Sequence, residues 1–511
     1  MRRKWNWFLC LVLVLLGLCL LFLGGCQQDD RQQKTGLEYN TLEEVNGKPV
    51  AVVSGMVLDL VAKQNLPQSP CRYYNTYADC LAALKSGKVE AFPCDEPVAR
   101  ELTRVNSGIG YIRESMDTDP IGMGISKNRP ELKALLDAGI ERFIADGRLQ
   151  EIDDIWFGDD DSRKQIPEMV SGPKGTLICG IDPTNPPMCY IRDGRIAGYE
   201  ADLAVRILQE AGYDVEFRQM DFSGLIPALV SGKADFVLSS MTILEERKKS
   251  ILFTVPEYDG NLVLMVRDAG TGGMEKSFFS GLRESFYRNF ILEERYKMVF
   301  TGLQATLTIT VAAAILGTIL GFIVCLLCRS RIKLLSLLAR IFVKVMQGMP
   351  LVVFLMIMYY MVFGRSSINP IYVAILAFAI NMAAYVSQMM RAGIDAVDPG
   401  QWEAACAMGF TRAQTFMKII APQAIRHILP VYTGELISMM KMTSVVGYIA
   451  IQDLTKMSDI IRSRTYEAFF PLIITALIYL LVAWILTAAL SYLEYRIDPK
   501  QRPRTLKGVK L

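Results

Sequence analysis

The sequence predicts two structural classes in one chain: a two-lobed α/β region in the first half and an all-α transmembrane domain in the second. Of the 511 residues, 51% are hydrophobic and 21% are charged, and the mean hydropathy is +0.26. Such a chain is too apolar for a wholly soluble protein and too charged for a wholly membrane-embedded one. Strand-like and helix-like patterns alternate over residues 40–267, and long apolar stretches recur after residue 298.

The N-terminal residues form a secretion-type segment. Arg2, Arg3 and Lys4 precede a long apolar run, which ends at Leu23-Gly24-Gly25-Cys26. This arrangement resembles a bacterial lipoprotein signal over residues 1–26, and the resemblance implies that Cys26 is lipidated and becomes the mature N-terminus. The alternative is an uncleaved anchor, because the apolar run approaches the length of a membrane span. Both interpretations place the polar tether of residues 27–39 outside the cytoplasm.

Residues 40–158 alternate between strand-like and helix-like segments, as expected of an α/β unit. The sequence predicts strands over 49–53, 71–74, 89–93 and 121–126, helices over 58–63, 77–86 and 96–106, and a pair of helices over 130–155. A linker over 159–175 contains three aspartates and two prolines. A second α/β unit follows over 176–267, with strands over 176–181, 214–219, 236–239 and 262–266 and helices over 199–211 and 224–231.

Both units contain recognisable motifs. The second unit contains Gly180-Ile181-Asp182-Pro183-Thr184, Gly198-Tyr199-Glu200-Ala201-Asp202, Met220-Asp221-Phe222-Ser223-Gly224 and Met241-Thr242-Ile243 through Arg247. These motifs resemble the opening half of the amino-acid-binding solute receptors of ABC importers, the family 3 type. The first unit of this chain resembles the C-terminal half of the same family's sequence. The matching residues extend from Leu42-Glu43-Glu44 through Asp95-Glu96-Pro97 to Trp156-Phe157-Gly158. The resemblance implies a periplasmic-binding-protein-like receptor in permuted order, with lobe 2 and closing helices at 40–158 and lobe 1 at 176–267.

Three explanations fit this reversed order. One receptor has been circularly permuted, two tandem receptors have each lost a half, or complementary lobes pair between two copies of the chain. We favour permutation, because the halves are complementary and neither is duplicated. A linker of seventeen residues, 159–175, spans up to roughly 55 Å, which is enough to join the old ends. This interpretation predicts residues 121–127 as the only covalent crossing between lobes, and it connects the lobe bearing Arg247 directly to the membrane domain.

The resemblance also assigns a ligand site. An α-amino acid needs a cation for its carboxylate and an anion for its ammonium group, and these positions fall on Arg247 and Asp95. A guanidinium holds a carboxylate through two parallel hydrogen bonds. If the motifs are set aside, the sequence predicts that Arg247 is a solvent-exposed charge on a helix and that Asp95 is the N-cap of the next helix. The other implied ligand contacts are Thr242, Ser240, Asp182, Phe222, Gly55, Met56 and Asn185.

Two of these positions depart from the family pattern. The family commonly has an aromatic residue where Asn185 stands, and a pair of hydroxyl residues where Met56 and Val57 follow Gly55. Backbone amides at 55–57 can still bind a carboxylate without those hydroxyl groups. The departures leave open a ligand with an apolar or differently charged side chain, and also a receptor that has lost ligand binding.

The second half of the chain has the pattern of a multi-span membrane domain. Residues 268–298 are a glycine-rich joint and an amphipathic pre-membrane helix, and residues 299–492 contain five apolar spans, at 299–325, 347–363, 371–389, 428–449 and 469–490. Basic residues are concentrated between spans one and two, between spans three and four, and in the tail 493–511. These parts are therefore expected in the cytoplasm and the receptor outside. The fourth connection, which this orientation places outside the cytoplasm, departs from the pattern because it contains the basic residues Lys456, Arg462 and Arg464.

Residues 401–422, with the sequence QWEAACAMGFTRAQTFMKIIAP, interrupt the apolar spans. They resemble the EAA loop of ABC importer permeases, at Glu403, Ala404, Ala405, Gly409, Ile419 and Pro422, although Ala421 stands where leucine is more usual. The resemblance implies a cytoplasmic helix pair that docks on an ABC ATPase dimer. The sequence has no Gly-x-x-x-x-Gly-Lys-Ser/Thr loop, so we expect a separate ATPase subunit and a second permease copy.

Composition argues against several other functions. A net charge of +3 without basic and aromatic clusters gives no indication of nucleic-acid binding. The eleven cysteines form no metal-type ladder, and no cofactor is predicted. Most cysteines are expected to be buried free thiols, although a disulfide among Cys71, Cys80, Cys94, Cys179 and Cys189 stays open.

The predicted function is an ABC importer subunit for an amino acid or related zwitterion, non-enzymatic, in the bacterial cell membrane. The alternatives are a ligand-gated channel or sensor and a dehydratase-like enzyme on the same receptor fold.

Overall fold

The computed structural model describes residues 36–54, 56–167, 172–269, 278–364, 366, 368–467 and 469–497. The predicted lipidation at Cys26, the predicted ligand contact at Gly55 and the basic tail after residue 497 lie outside the described residues.

The first half of the chain contains thirteen described strands and nine described helices. In chain order these are α1 (Leu42–Val45), β1 (Val50–Val53), α2 (Leu58–Asn65), β2 (Cys71–Tyr74), α3 (Tyr77–Lys85), β3 (Ala91–Asp95), α4 (Glu96–Val105), β4 (Ile109–Ile121), β5 (Gly124–Ile125), α5 (Pro130–Ala145), α6 (Arg148–Phe157), β6 (Thr176–Ile181), β7 (Thr184–Asn185), β8 (Cys189–Arg192), β9 (Arg195–Ala197), α7 (Tyr199–Glu210), β10 (Asp214–Gln219), α8 (Phe222–Ser231), β11 (Phe236–Leu238), α9 (Glu245–Lys248), β12 (Leu252–Phe253) and β13 (Tyr258–Arg267).

Two five-stranded sheets form the two lobes. Their strand orders are β2-β1-β3-β13-β4 and β10-β6-β11-β5-β12. In each sheet the first three strands are parallel, and the fourth strand is antiparallel to both of its neighbours. Each sheet has its own apolar core, which includes Phe92 and Leu264 in the first lobe and Trp156 and Phe236 in the second. The two-lobed α/β architecture predicted from the motifs is confirmed.

The chain crosses between the lobes twice, so the prediction of a single crossing at 121–127 is wrong. Residues 122–123 connect β4 to β5, and residues 254–257 connect β12 to β13. Strand β13 belongs to the first sheet, because Leu262 lies opposite Asp95 and Val266 lies opposite Ala91. A continuous apolar run is typical of a strand buried on both faces, but it does not indicate which sheet the strand joins.

The sheet to which each strand belongs, and the sheet on which each helix packs, define the two lobes. Helices α5 and α6 pack on the second sheet, and Phe143 and Trp156 are buried in its core. The Asp95 lobe therefore consists of residues 36–121 and 258–269, and the Arg247 lobe consists of residues 122–257.

The two ends of the receptor lie side by side on the Asp95 lobe. Leu37 and Asp268 form an antiparallel bridge, and Glu38 donates its amide to the Arg267 carbonyl at 2.8 Å. The expectation that the Arg247 lobe leads directly into the membrane domain is therefore wrong. The chain leaves through β13, which is a strand of the Asp95 lobe.

The second half of the chain is helical. Its elements are α10 (Phe278–Phe286), a π-helix (Tyr287–Ile291), a 3₁₀ turn (Leu292–Glu294), α11 (Tyr296–Cys328), α12 (Lys333–Gly348), α13 (Leu351–Met356), a π-helix (Ile357–Val362), α14 (Pro370–Asp395), α15 (Gly400–Ala407), α16 (Arg412–Thr415), a π-helix (Phe416–Ile420), α17 (Ala421–Met442), a 3₁₀ segment (Thr443–Ile449), α18 (Leu454–Thr465) and α19 (Phe470–Ile497).

Three helices within the described residues are long and apolar enough to cross a membrane: α11, α14 and α19. They correspond to predicted spans one, three and five. The second predicted span falls on Lys333–Gly348 and Leu351–Val362, which together are apolar enough but are bent by 109°. The fourth falls on α17, whose mean hydropathy is lowered by Arg426, His427, Glu435 and Lys441. The count of five spans stays a prediction.

Candidate functional site

A narrow cleft lies between the two lobes at the carboxyl ends of their parallel strands. Its walls follow strands β1, β2, β6, β10 and β11, at Val53, Ser54, Met56, Asn75, Thr76, Tyr77, Asp182, Thr184, Asn185, Phe222 and Ser239. This edge of open α/β sheets is where ligands commonly bind. The free volume of this cleft is about 30 Å³, which leaves room for only a few water molecules.

Arg247 lies beside this cleft. Its guanidinium carbon is 5.6 Å from the ring centre of Phe222, and its Nη1 donates to the Thr242 carbonyl at 3.0 Å. Burial lowers the pKa of Arg247, and the charge of Asp119 partly offsets this. The side chain is half-buried, unlike the solvated lysines that follow it in α9 and beyond. This environment suits a guanidinium that binds an anion in a partly desolvated site.

Asp95 and Asp119 face this region from the Asp95 lobe, and each is 5% exposed. Tyr77 donates its hydroxyl to Asp95 at 3.4 Å, and Thr242 donates its hydroxyl to Asp119 at 3.2 Å. Burial, followed by the charge of Asp119, raises the pKa of Asp95 to about 7. Burial also raises the pKa of Asp119. The charge of Arg247 partly offsets the raised pKa of Asp119, but burial dominates for both acids, so a ligand that brings a positive charge would stabilise their charged forms.

Asp119 was missed by the sequence interpretation. It lies near the end of β4, immediately before the first crossing between the lobes. Its Oδ1 atom is buried without a hydrogen-bond partner in the described part of the chain. A charged residue next to a crossing between the lobes could have indicated a cleft residue. The strand that contains it, β4, was not predicted, so the position of Asp119 was not recognised.

Ser240 and Asn185 are brought together inside the Arg247 lobe. Asn185 donates from Nδ2 to the Ser240 hydroxyl at 2.8 Å, and the Ser240 amide donates to Glu200 at 2.7 Å. Ser240 has a left-handed φ of 45°, so the chain turns sharply after strand β11. Both polar groups of Ser240 are therefore used within the lobe, and Asn185 supports Ser240 where the family has an aromatic.

Asp182 lies at the centre of the cleft wall. Its Oδ2 accepts the amide of Phe222 at 3.0 Å, which fixes the start of helix α8 beside it. Its Oδ1 accepts a hydrogen bond from Lys456 at 3.1 Å, although Lys456 belongs to the helical half of the chain. Met56 lines the opposite wall. The predicted contacts Asp182, Phe222, Met56 and Asn185 thus share one cleft, and Lys456 was not predicted to be there.

The predicted coupling loop forms a helix pair. Helices α15 and α16 are separated by Gly409, whose φ of 83° is left-handed. Thr411 and Gln414 form a reciprocal capping box at the start of α16. Glu403 and Ala404 are exposed, whereas Ala405 is buried.

Apolar contacts attach this loop to the adjacent membrane helices. Ile419 packs with Val397, Ile420 and Ala424, and Pro422 is exposed near the start of α17. The loop is therefore an ordered surface element.

The cysteines supply no additional chemistry in the described residues. Eight described cysteines are free, including Cys71, Cys80, Cys94, Cys179 and Cys189, and Cys406 on the coupling loop is exposed. The described residues contain no group of three or more His, Cys, Asp or Glu side chains placed to hold one metal ion.

Comparison with known proteins identifies a matching family model and several relatives. The family model described as bacterial extracellular solute-binding proteins, family 3, matches residues 177–427. The arginine transport system permease protein ArtQ of Bacillus subtilis (strain 168) is 37% identical over 194 residues, which are 37% of this chain and 87% of that protein. The octopine transport system permease protein OccM of Rhizobium radiobacter is 32% identical over 225 residues, which are 42% of this chain and 92% of that protein.

Among solved structures, one similar to part of this chain was aligned over its own full length. It is the crystal structure of an amino acid ABC transporter with histidines, which is 38% identical and has a TM-score of 0.38. The similarity covers 44% of this chain and 100% of that one.

Proposed function

Since the chain belongs to the family of amino acid ABC transporter permeases and carries a family 3 solute-binding region, we propose that its two lobes capture an amino acid and deliver it to its own membrane helices. One observation carries this proposal. Arg247 on one lobe contacts Phe222, Asp95 on the other lobe contacts Tyr77, and both Phe222 and Tyr77 line the interlobe cleft.

These charges match the two ends of a zwitterion. Arg247 would bind the ligand carboxylate, and Asp95 and Asp119, together with Asp182 on the other wall of the cleft, would bind its ammonium group. Because the two groups belong to different lobes, one ligand that contacts both favours the closed arrangement of the lobes. Phe222 and Met56 supply apolar walls, and Thr242 and Asp182 supply further oxygen atoms at the cleft.

A separate ABC ATPase is the proposed partner of the coupling loop. Glu403 and Ala404 are exposed on α15, and Met408 and Met417 expose 67% and 68% of their surface beside Gly409. Exposed apolar side chains on an ordered helix pair are typical of a protein-docking surface. The loop faces the cytoplasm in this proposal, the receptor lies outside, and Cys26 carries the lipid. A second copy of the chain completes the permease.

Circular permutation is the proposed origin of the lobe order. The linker 159–175 connects α6 to β6, and both elements belong to the Arg247 lobe. The new ends, Gly36 and Ala269, are joined by a hydrogen bond of 2.6 Å on the Asp95 lobe. Both sheets are completed within one chain, which supports permutation over a receptor that has lost half its elements.

Calorimetry of the full chain in lipid nanodiscs, with each of the twenty amino acids, tests the ligand assignment. Replacing Arg247 by Gln removes a charge-assisted hydrogen-bonding group, which contributes about 1.5–3 kcal/mol, so affinity should fall roughly 10–100-fold. Lys248→Gln is the matched control, because Lys248 pairs with Glu245 on the surface. Equal affinity in wild type and Arg247→Gln would contradict carboxylate binding by Arg247. Absence of binding by all twenty amino acids would contradict the proposed ligand class.

A further inference from the structure

Three basic residues of helix α18 reach the receptor. Lys456 contacts Asp182 at 3.1 Å and Asp221 at 2.5 Å, and Arg462 pairs with Asp79 on the other lobe. Arg464 lies 4.9 Å from the ring centre of Tyr190 and 3.9 Å from Glu101. These are the three basic residues of the fourth connection between spans, which depart from the concentration of basic residues on the cytoplasmic side. Each therefore contacts at least one receptor residue, although Arg464 also pairs with Glu293 at 3.2 Å and Arg462 with Asp459 at 2.8 Å.

Lys456 differs from the other two because its partner Asp182 lines the ligand cleft. The lysine is 6% exposed. Burial disfavours its charge, but Asp182 and Asp221 more than compensate and raise the pKa of Lys456. The side chain is therefore a buried ammonium ion held between two carboxylates, which is the environment that a bound amino group would also require.

Helix α18 is fixed to the membrane helices at the end that carries Lys456. Asp453 accepts the Lys456 amide at 3.0 Å and the Tyr479 hydroxyl of α19 at 3.2 Å. The amide of Leu454 donates to the Thr306 hydroxyl of α11 at 3.3 Å. A relative movement of α11 or α19 would therefore be transmitted to the lysine through short hydrogen bonds.

A ligand ammonium group at Asp182 and the ammonium group of Lys456 would need the same carboxylate. Asp182 already binds the lysine, and about 30 Å³ of enclosed space remains in the cleft. That volume suits a few water molecules and is too small for an amino acid. We propose that Lys456 is an internal competitor, which takes the place of the ligand's ammonium group at Asp182 and so releases ligand from the receptor docked on the membrane helices. This inference rests on the proposed function.

Ligand binding to Lys456→Met in the full chain in nanodiscs tests the competition, with L-arginine and L-glutamine as probes. If the cleft is free in about one molecule in ten, removal of the competitor tightens binding roughly tenfold. Uptake by the same variant, assembled with its ATPase, should fall because release is lost. Lys456→Arg should restore the wild-type affinity and uptake.

Arg462→Gln is the matched control for docking. It removes a contact between α18 and Asp79 but leaves Lys456 and Asp182 in place. Equal tightening in Arg462→Gln and Lys456→Met would overturn the proposal, because general undocking would then explain both. An unchanged affinity in Lys456→Met would overturn it as well.

A further variant separates competition from a folding defect. Asp182→Asn removes the shared carboxylate, so Lys456→Met should tighten binding much less in that background. Full tightening in the Asp182→Asn background would overturn the proposal. Binding of a probe by Lys456→Met but not by wild type would support it. Absence of binding in every variant would overturn the proposed function, and this inference with it.

Discussion

Asp95 stands at the N-cap position of helix α4, but its carboxylate makes no capping hydrogen bond. Its side chain instead accepts the hydroxyl of Tyr77 and lies near the charge of Asp119. A carboxylate that is buried without capping a helix is costly for the fold, because both burial and the second acid oppose its charge. Such a cost is expected where a ligand supplies the missing cation.

The raised pKa of Asp95 predicts a pH-dependent affinity. Without ligand the carboxyl is largely protonated below its pKa of about 7, whereas a bound ammonium group favours the charged form. Binding therefore releases a proton below pH 7, and affinity should rise by up to about tenfold per pH unit between pH 5 and pH 7 and then level off.

Calorimetry of the full chain at several pH values measures this slope. The Asp95→Asn variant should bind more weakly and lose most of the slope, and the part that remains belongs to Asp119. A wild-type affinity that is constant from pH 5 to pH 8 would contradict the assignment of Asp95.

The motif residues are close together in the structure, and their role in ligand binding stays a prediction. Asp182 lines the cleft, Arg247 packs against the cleft residue Phe222, and Thr242 contacts Asp119. Asp119 and Lys456 do not belong to any of these motifs, and their roles depend on residues that are distant in the sequence. Lys456 and Asp182 are 274 residues apart, and Asp119 and Thr242 are 123 residues apart.

At the scale of elements, the coupling loop depends on one backbone conformation. Helices α15 and α16 meet at Gly409, where φ is 83° and an added Cβ would contact no atom within 4 Å. The conformation, not a lack of space, therefore requires glycine here. The predicted turn at Gly409 is found in the structure.

Gly409→Ala should loosen this helix pair. A left-handed conformation costs a side-chain-bearing residue about 1–2 kcal/mol, so local opening becomes roughly 5–30-fold more frequent. Amide hydrogen exchange over Gly400–Ala407 and Arg412–Thr415 in the full chain measures this effect. Gly434→Ala is the control, because a Cβ there also meets no atom within 4 Å and no left-handed φ is required. Equal exchange in both variants would contradict the role of Gly409.

The strands show the limit of prediction from local pattern. Short strands such as β1, β2 and β6 were predicted within a residue or two, because apolar runs between turn signals define them. Strand β13 was assigned to the wrong sheet, and β4 was missed. Strand β4 extends over thirteen residues in which exposed and buried positions are mixed. Its pairing with β13 joins segments about 140 residues apart, which no local pattern reveals.

At the scale of the whole molecule, the two lobes have the same topology and exchange one strand each. Strand β4 ends the Asp95 lobe and leads to β5, the antiparallel strand of the other sheet. Strand β12 ends the Arg247 lobe and leads to β13, the antiparallel strand of the first sheet. A chain that starts at β1 and a chain that starts at β6 therefore build the same two sheets with the same two crossings. This equivalence explains how the lobe order can be reversed without a change of fold.

A designed disulfide distinguishes permutation within one chain from pairing between copies. Leu37 and Asp268 face each other in an antiparallel bridge, and such partners have Cα atoms about 4.5–5.5 Å apart, which suits a disulfide. The double variant Leu37→Cys and Asp268→Cys should therefore cross-link within one chain and migrate as a monomer on a non-reducing denaturing gel. Ligand affinity should stay within about twofold of wild type, because the bridge lies away from the cleft-lining residues and fixes ends that already meet.

The same gel reports the competing arrangement. If β13 of one copy completes the sheet of another copy, the two cysteines lie on different chains and oxidation gives a covalent dimer. Each single variant is a control for random oxidation, and four of the native receptor cysteines, at 80, 94, 179 and 189, are buried and should not compete. A dimer band specific to the double variant would exclude the closed single-chain receptor. A monomer that is cross-linked and still binds ligand would show that both lobes, in their reversed order, come from one chain.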